Sequence, residues 1–283
     1  MPSPYLIEPP FVVQVSGGKT SAYMLRRILD AYGGALPEDG LVCFQNTGRE
    51  REETLDFVRE IEQRWGVDIV WLEYCLRDED QGDGTVIRRP DFRVVDYDTA
   101  SRDGEPFDVL IQKREFLPNP VARFCTIEMK VKTCERYLLS LGWSEWNSAL
   151  GIRHDEPRRW MNQKSGSKSK HADNVYPLVS DKVDHDAILS FWNDQPFRLQ
   201  LMQHEGNCDL CFLKGAGKIA EIVERRPDLA EWWIRQESRP LGAKGAPGRF
   251  RSDRPSYASM RASARTQMRL FADDPTISCF CGD

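Results

Sequence analysis

A chain of 283 residues with 40% hydrophobic and 29% charged side chains has the composition of a globular enzyme, long enough to bury a full core. Its net charge of −5 excludes a general affinity for polyanions, so nucleic-acid binding would need a local basic patch. No apolar run reaches membrane-span length, and the start, Met1-Pro-Ser-Pro-Tyr5, has neither the positive n-region nor the apolar h-region of a signal peptide. A cytoplasmic location is therefore expected. There the eight cysteines suit metal ligands or reactive thiols better than a disulfide framework. Cys43 and Cys75, at the ends of apolar runs, read as small core residues.

Phe11 to Val15 is an apolar, β-branched run that predicts a buried strand. Ser16-Gly-Gly-Lys-Thr-Ser21 follows, then a helical pattern with Ala22, Leu25, Ile28 and Leu29 on one face. Strand, glycine turn and helix aim free backbone N–H groups and a positive helix end at an anion. Gly17 and Gly18 let a phosphate approach the backbone, while Ser16, Thr20, Ser21 and Lys19 add donors and charge. An ordinary glycine turn would use the same glycines, and the spacing is not that of GxxxxGK[ST].

Leu41 to Phe44 predicts a second strand, followed by Gln45-Asn-Thr-Gly-Arg-Glu50 and a helix through Leu55, Phe57, Val58, Ile61 and Trp65 that stops at Gly66. Val67 to Glu73 predicts a third strand. This alternation predicts βαβ units and a parallel sheet, with ligands at the carboxyl ends of its strands. Residues 76–122 are polar and irregular and read as a loop, lid or partner surface. A helix is expected over about Thr126 to Leu141, with Cys125 just before it, where the helix end, Arg123 and Lys130 would favour a thiolate. Asn147 to Arg153 predicts a strand leading into the charged turn His154-Asp-Glu-Pro-Arg-Arg159. There Arg153, Arg158 and Arg159 offer planar forks for phosphate or sulfate. Residues 162–174 form a basic surface loop by composition, and Asp184 to Asn193 a short amphipathic helix.

Gly206-Asn-Cys-Asp-Leu-Cys211 is a CxxC in a setting that favours metal or redox chemistry. Ala220 to Ser238 is expected to be helical. Between Arg239 and Arg269 eight cations face the one acid Asp253, which suits either a nucleic-acid contact or a solvated arm. The chain ends Cys279-Phe-Cys281-Gly-Asp283.

The Ser-Gly-Gly-Lys-Thr-Ser loop resembles that of the PP-loop adenine-nucleotide proteins, with Thr20 where they usually carry an acid. The Asn46-Thr-Gly-Arg-Glu50 segment, the Cys125-Thr126 helix, Gly151-Ile-Arg153 and the CxxC follow in the order of the phosphoadenylylsulfate (PAPS) and adenylylsulfate (APS) reductases. The resemblance spans about residues 10–215. It implies an α/β PP-loop domain with a parallel sheet (residues 1–180) and a cysteine-bearing helical C-terminal extension (residues 181–283). It further implies an enzyme that binds ATP, APS or PAPS through Ser16, Gly17, Gly18, Lys19, Thr20, Ser21, Asn46, Thr47, Gly48, Arg49, Glu50, Gly151, Arg153 and Arg158, with Mg as a further candidate. A [4Fe–4S] cluster on Cys125, Cys208, Cys211 and Cys281 is the implied metal centre. Cys279, an open three-cysteine site and zinc remain alternatives. Cys134 is disfavoured, since nine helical residues separate it from Cys125 by about 13 Å of rise.

Cys281 is also the candidate nucleophile, beside Lys19, because it precedes a glycine as the family's C-terminal cysteine does; the flanking Glu, Leu and His are absent. The implied reaction is sulfonucleotide reduction, with thioredoxin or another thiol donor as partner and a homodimer as the assembly. An ATP-dependent sulfurtransferase acting on nucleic acid through the 239–269 arm, and a non-catalytic nucleotide or redox sensor, are the other two readings.

Overall fold

The computed structural model describes residues 3–165, 169–202, 204–206, 208–242 and 245–263. In chain order the elements are β1 (Phe11–Val15), α1 (Lys19–Ala31), β2 (Gly40–Asn46), α2 (Glu52–Trp65), β3 (Val70–Asp80), β4 (Val86–Val95) and α3 (Glu105–Arg114). A π-helical segment (Thr126–Val131) then leads into α4 (Lys132–Ser140), followed by β5 (Trp146–Leu150), α5 (Pro157–Ser165), β6 (Ala172–Val175), α6 (Pro177–Ser180) and α7 (His185–Asn193). The chain continues through α8 (Ala216–Arg225), a 3-10 turn (Pro227–Leu229), α9 (Ala230–Ser238), the two-residue strands β7 (Pro240–Leu241) and β8 (Ala246–Pro247), and α10 (Tyr257–Ser263). Among the described residues no helix is long and apolar enough to cross a membrane.

Six strands form one sheet in the order β4-β3-β2-β1-β5-β6, parallel throughout except for the antiparallel β3–β4 pair. The expected α/β architecture is present, with β1 in the interior of the sheet. Alternation along β1 sorts its side chains between two faces. Phe11, Val13 and Val15 join α1, α2 and α7 in one core, with Trp192 packed edge-on to Phe57. Val12 joins Cys43, Leu72, Cys134 and Leu138 in a smaller core beneath α4. Burying both faces explains why these strands read as continuous apolar runs.

A third core lies against β3 at Tyr74. Tyr74, Phe107, Ile111 and Met129 pack there against Leu210, Phe212, Trp233, Phe250 and Tyr257. Residues 183–201 thus complete the first core, whereas residues 210–260 build the third.

Three expectations are corrected. Residues 76–122 are not a plain loop: β3 runs on to Asp80 and turns back as β4, and α3 follows. The outer half of this hairpin is exposed and charged, with Arg88 and Asp78 paired at 3.0 Å, so neither face carries an apolar alternation. The helix expected over 220–238 is two helices, because Pro227 breaks the ladder between α8 and α9. The arm from Arg239 is not simply solvated over its described part. Arg251 and Arg254 are buried, and Arg254 Nη1 donates to the Lys214 carbonyl at 2.7 Å.

The helix expected from Thr126 is present but begins as a π turn, whose Glu128 carbonyl accepts from the hydroxyl of Thr133 in α4 (2.8 Å). Glu128 itself is buried and accepts from Arg114 (2.6 Å), Lys132 (3.1 Å) and Arg136 (3.2 Å), which ties α3 to this segment.

Candidate nucleotide and thiol site

The loop after β1 turns through Gly17, whose φ is +78°, and Gly18 then stands at the N-cap of α1 without a side-chain cap. The first turn of α1 holds no acidic residue, so its positive end is uncompensated by side chains. Ser21 shapes the loop from inside. Its hydroxyl donates to the Gly18 carbonyl (3.1 Å) and accepts from the Ser16 N–H (3.1 Å). The Ser16 hydroxyl lies 3.1 Å from the same oxygen. Lys19 is half-buried, and burial followed by the nearby Arg198 guanidinium lowers its pKa. Two cations kept close together beside an uncapped helix end concentrate positive potential where an anion would sit.

Gly151-Ile-Arg153, leaving β5, arrives at this loop. A Cβ on Gly151 would stand 2.8 Å from the Ser21 Cα, so only glycine permits the approach. Arg153 Nη1 donates to the Thr20 hydroxyl at 3.4 Å, while its Nε donates to Asp155 Oδ1 at 2.9 Å and its backbone N–H to Glu156 Oε2 at 3.0 Å. Thr20, at the family's acidic position, therefore faces an arginine. Of the other two arginines, Arg158 is exposed, whereas Arg159 is held against Glu156 with Nε and Nη2 buried and unpartnered.

The segment after β2 is a hub. Asn46 is fully buried; its Nδ2 donates to Glu73 Oε1 (2.6 Å) and to the Ser101 carbonyl (2.8 Å), and its Oδ1 accepts from the Gly48 N–H (3.0 Å). Glu73, also fully buried, accepts in addition from the Ser101 N–H (2.6 Å), the Ser101 hydroxyl (2.9 Å) and Arg93 Nε (2.8 Å). Thr47 donates to Glu50 Oε2 from its N–H (2.7 Å) and its hydroxyl (2.8 Å). The Thr47 oxygen also lies 3.4 Å from the Cys208 sulfur, and Glu50 and Cys208 form an isolated β-bridge. The Asn-Thr-Gly-Arg-Glu segment thus holds the CxxC directly. Arg49 is buried against Asp209, inside the CxxC, and stacks over Trp232 at 5.3 Å. Its charge is taken by that pair rather than turned to the Ser16–Ser21 loop.

Burial raises the Glu50 pKa against the opposing effects of Lys130, at 3.8 Å, and the Thr47 donors. A raised folded value contributes stability below the unfolded pKa that is lost as pH rises through the folded value. Glu50→Gln keeps an acceptor for Thr47 and removes that slope. We expect its stability relative to wild type to improve progressively from pH 4 to pH 8 in urea unfolding. A difference that is constant with pH would refute the assignment.

The candidate metal ligands are distributed as follows. Cys125, Cys208 and Cys211 are half-buried and border the third core, and the Lys214 ammonium donates to the Gly206 (2.7 Å) and Cys208 (2.9 Å) carbonyls. Thiols are the donor type that an iron–sulfur cluster takes. Among the described residues, however, no three His, Cys, Asp or Glu side chains converge as a metal-binding group. Cys279 and Cys281 lie outside the described residues. Cys134 sits in the core beneath α4, apart from the other three. Sequence reasoning passed over Glu73, Asp209 and Arg198. Of these, Glu73 had a readable signal, as the last residue of the strand expected over Val67 to Glu73.

No family model matches the chain. Among solved structures it is similar to a PAPS reductase from Candida auris in a phosphate complex, at 16% identity and a TM-score of 0.38 over 69% of this chain and 81% of that one. It is also similar to the U34-tRNA thiolase NcsA from Methanococcus maripaludis with its [4Fe–4S] cluster, at 15% identity and a TM-score of 0.42 over 96% and 76% of the two chains. Likenesses this loose assign neither a reaction nor a ligand to this chain. In sequence it is 30% identical over 213 residues to the uncharacterized nin region protein ORF290 of Escherichia phage lambda, covering 74% of this chain and 67% of the relative. On that relationship, the chain belongs to the family of the lambda nin region protein ORF290.

Proposed function

We propose that the chain is a PAPS reductase-like enzyme of PP-loop type that binds an adenylyl nucleotide and carries out sulfur chemistry on it. One observation carries the reading: the uncapped Ser16–Ser21 turn and Arg153 meet at the carboxyl ends of β1 and β5, with Arg153 3.4 Å from Thr20. Backbone N–H groups of the turn would hold a phosphate, and the Arg153 fork would take a second anionic group. Lys19 would neutralise charge developing on the leaving group. The second half of the reading is the thiol-bearing hub beside this site. Cys208 is held by Thr47 and Glu50, and Cys125 and Cys211 border the same core. These cysteines, with Cys281, would supply the thiolates for an iron–sulfur cluster, whose contribution would be electron transfer or binding of sulfur.

The reaction is tested by offering the anaerobically purified protein APS, PAPS and ATP with a thiol donor. Sulfite released from APS or PAPS supports reduction. Pyrophosphate or AMP released from ATP, with sulfur passed to a nucleic acid, would replace it with a sulfurtransferase; tight binding without turnover would make the protein a sensor. Arg153→Ala is expected to weaken binding of the nucleotide by about 10- to 100-fold, the worth of one or two charged hydrogen bonds. Titration calorimetry giving an unchanged Kd would remove Arg153 from the site.

A further inference from the structure

The Ser16–Ser21 loop and the thiol hub leave one group of cations unused, at the surface where α3 ends and the π turn leads into α4. Arg114 Nη2 (2.6 Å), Lys132 Nζ (3.1 Å) and Arg136 Nη2 (3.2 Å) all donate to the one carboxylate of Glu128. Lys113 is exposed, and its ammonium donates at 3.1 Å to the Arg88 carbonyl, an uncharged acceptor. Phe116, which is 45% exposed, packs edge-on against Phe124 with ring centroids 4.9 Å apart. The Arg114 guanidinium stands 5.6 Å over the same Phe124 ring, so the exposed aromatic and the cations share one support. We propose that this face, formed by Lys113, Arg114, Phe116, Lys132 and Arg136, binds single-stranded nucleic acid.

Charge supports that occupant. In the neighbouring hairpin Arg77, Arg88 and Arg89 are each matched by an acid, Asp91, Asp78 and Glu79, and bring no surplus. Around Glu128 three cations share one carboxylate, which leaves two positive charges over. The exposed Glu115 offsets Lys113, and Glu135 is turned to Ser169, whose hydroxyl donates to it at 2.9 Å. The group is also short of acceptors, since Arg136 Nη1 is buried with no hydrogen-bond partner. This is the local basic patch that a net charge of −5 demands of any polyanion site. The 239–269 arm, expected to fill that role, turns Arg251 and Arg254 inward. Here, by contrast, the Arg114 and Lys132 side chains are 42% and 47% exposed.

The apolar component distinguishes a single strand from a duplex. Phe116 is half-exposed, as are Ile127 and Val131, which lie in the π turn on either side of Glu128. A single strand offers phosphates to the cations and unstacked bases to an aromatic ring, whereas a duplex keeps its bases stacked inside. The π turn also joins this face to the hub. It follows Cys125 directly, and its Lys130 pairs with Glu50 at 3.8 Å. A bound strand would run along the segment that carries a hub thiol.

The test titrates the full chain into a fluorescently labelled oligothymidine of about 20 nucleotides, longer than one binding site, and follows anisotropy. Neither turnover nor a cluster is needed, so the result reads separately from the sulfur chemistry. Affinity is expected to fall with salt with a log–log slope of about −2, from three phosphates at roughly 0.7 each. Lys113→Glu and Lys132→Glu, both at exposed positions, should each weaken binding by about tenfold or more and flatten that slope. Phe116→Ala should weaken it by about fivefold or more and leave the slope unchanged. Arg261→Ala, in the arm, should change neither. The proposal is overturned by no binding at low salt, or by equal or tighter binding of the matching duplex. It is also overturned if Arg261→Ala loses affinity that Lys132→Glu keeps. If a variant does not fold, the wild-type salt slope and the duplex comparison decide.

Discussion

Asp209→Ala is expected to destabilise the protein by about 3–5 kcal/mol, the loss seen when one partner of a buried ion pair is removed. Asp209 lies inside the CxxC and is 2% exposed. One carboxylate oxygen takes the Arg49 guanidinium, and the other accepts from Trp233 Nε1 (2.8 Å) and the Leu210 N–H (2.7 Å). The Asp209 N–H in turn donates to the Arg49 carbonyl at 2.8 Å. Alanine would strand the buried Arg49 charge against the Trp232 ring and leave the Trp233 indole N–H without its acceptor. Asp209→Asn keeps an acceptor for Trp233 but loses the charge, and should fall between wild type and Ala. Urea unfolding at neutral pH measures the series. A loss under about 1 kcal/mol for Ala would show that Arg49 finds other partners and that the pair does not clamp the CxxC to β2.

Gly17→Ala is expected to cost about 2–4 kcal/mol and to weaken nucleotide binding at least about tenfold. Two separate effects add. At φ +78° an L-residue is strained by about 1–2 kcal/mol. The new methyl would also overlap Thr54 Cγ2, with Phe44 Cε2 at 3.4 Å behind it. Thr54 is 1% exposed and β-branched, so it has little freedom to turn aside. The two effects separate in a double-mutant cycle. Thr54→Ala in the Gly17→Ala background should restore the overlap part, about 1–3 kcal/mol, and leave the backbone strain. Full recovery in the double variant would mean that the positive φ is not needed by the loop. No recovery would mean that the overlap is relieved some other way.

The strands and helices that carry the loop were legible because their apolar periodicity is strong. Phe11–Val15, the α1 stripe through Leu25 and Leu29, and the α2 run ending at Gly66 appear in the structure as their patterns predict. The hairpin over 76–95 was not legible, because its outer half is exposed and carries Arg77, Asp78, Glu79, Asp80, Arg88 and Arg89 on both faces. The π turn escaped for a different reason: six residues are too few to define a period that would separate i→i+5 bonding from an ordinary helix. Arg239 to Arg269 read as a basic arm because charge counts do not reveal which guanidiniums turn inward. Arg254 does so to reach the Lys214 carbonyl, and Tyr257 follows, its hydroxyl donating to the Leu210 carbonyl at 2.6 Å.

Of the candidate site residues, those close together in sequence were the easier to name. A turn such as Ser16–Ser21 carries its chemistry in consecutive residues, so local spacing was enough to single it out. The role of Arg49 depended on Asp209 and Trp232, and that of Asn46 on Glu73 and Ser101; no local pattern connects those positions.

The sequence alone therefore determined the α/β class, the glycine turn between β1 and α1, and which thiols the chain holds. Each of these follows from short-range physics: period, glycine conformation and side-chain donor type. Only the tertiary structure decided that the Asn-Thr-Gly-Arg-Glu segment grips the CxxC, that Arg159 rather than Arg158 is the inward arginine beside Arg153, and that Cys134 lies with Cys43 instead of Cys125. Those outcomes depend on which buried charges and polar groups find partners across distant segments. Burial makes an unpartnered charge expensive enough to choose between packings that local sequence leaves equal.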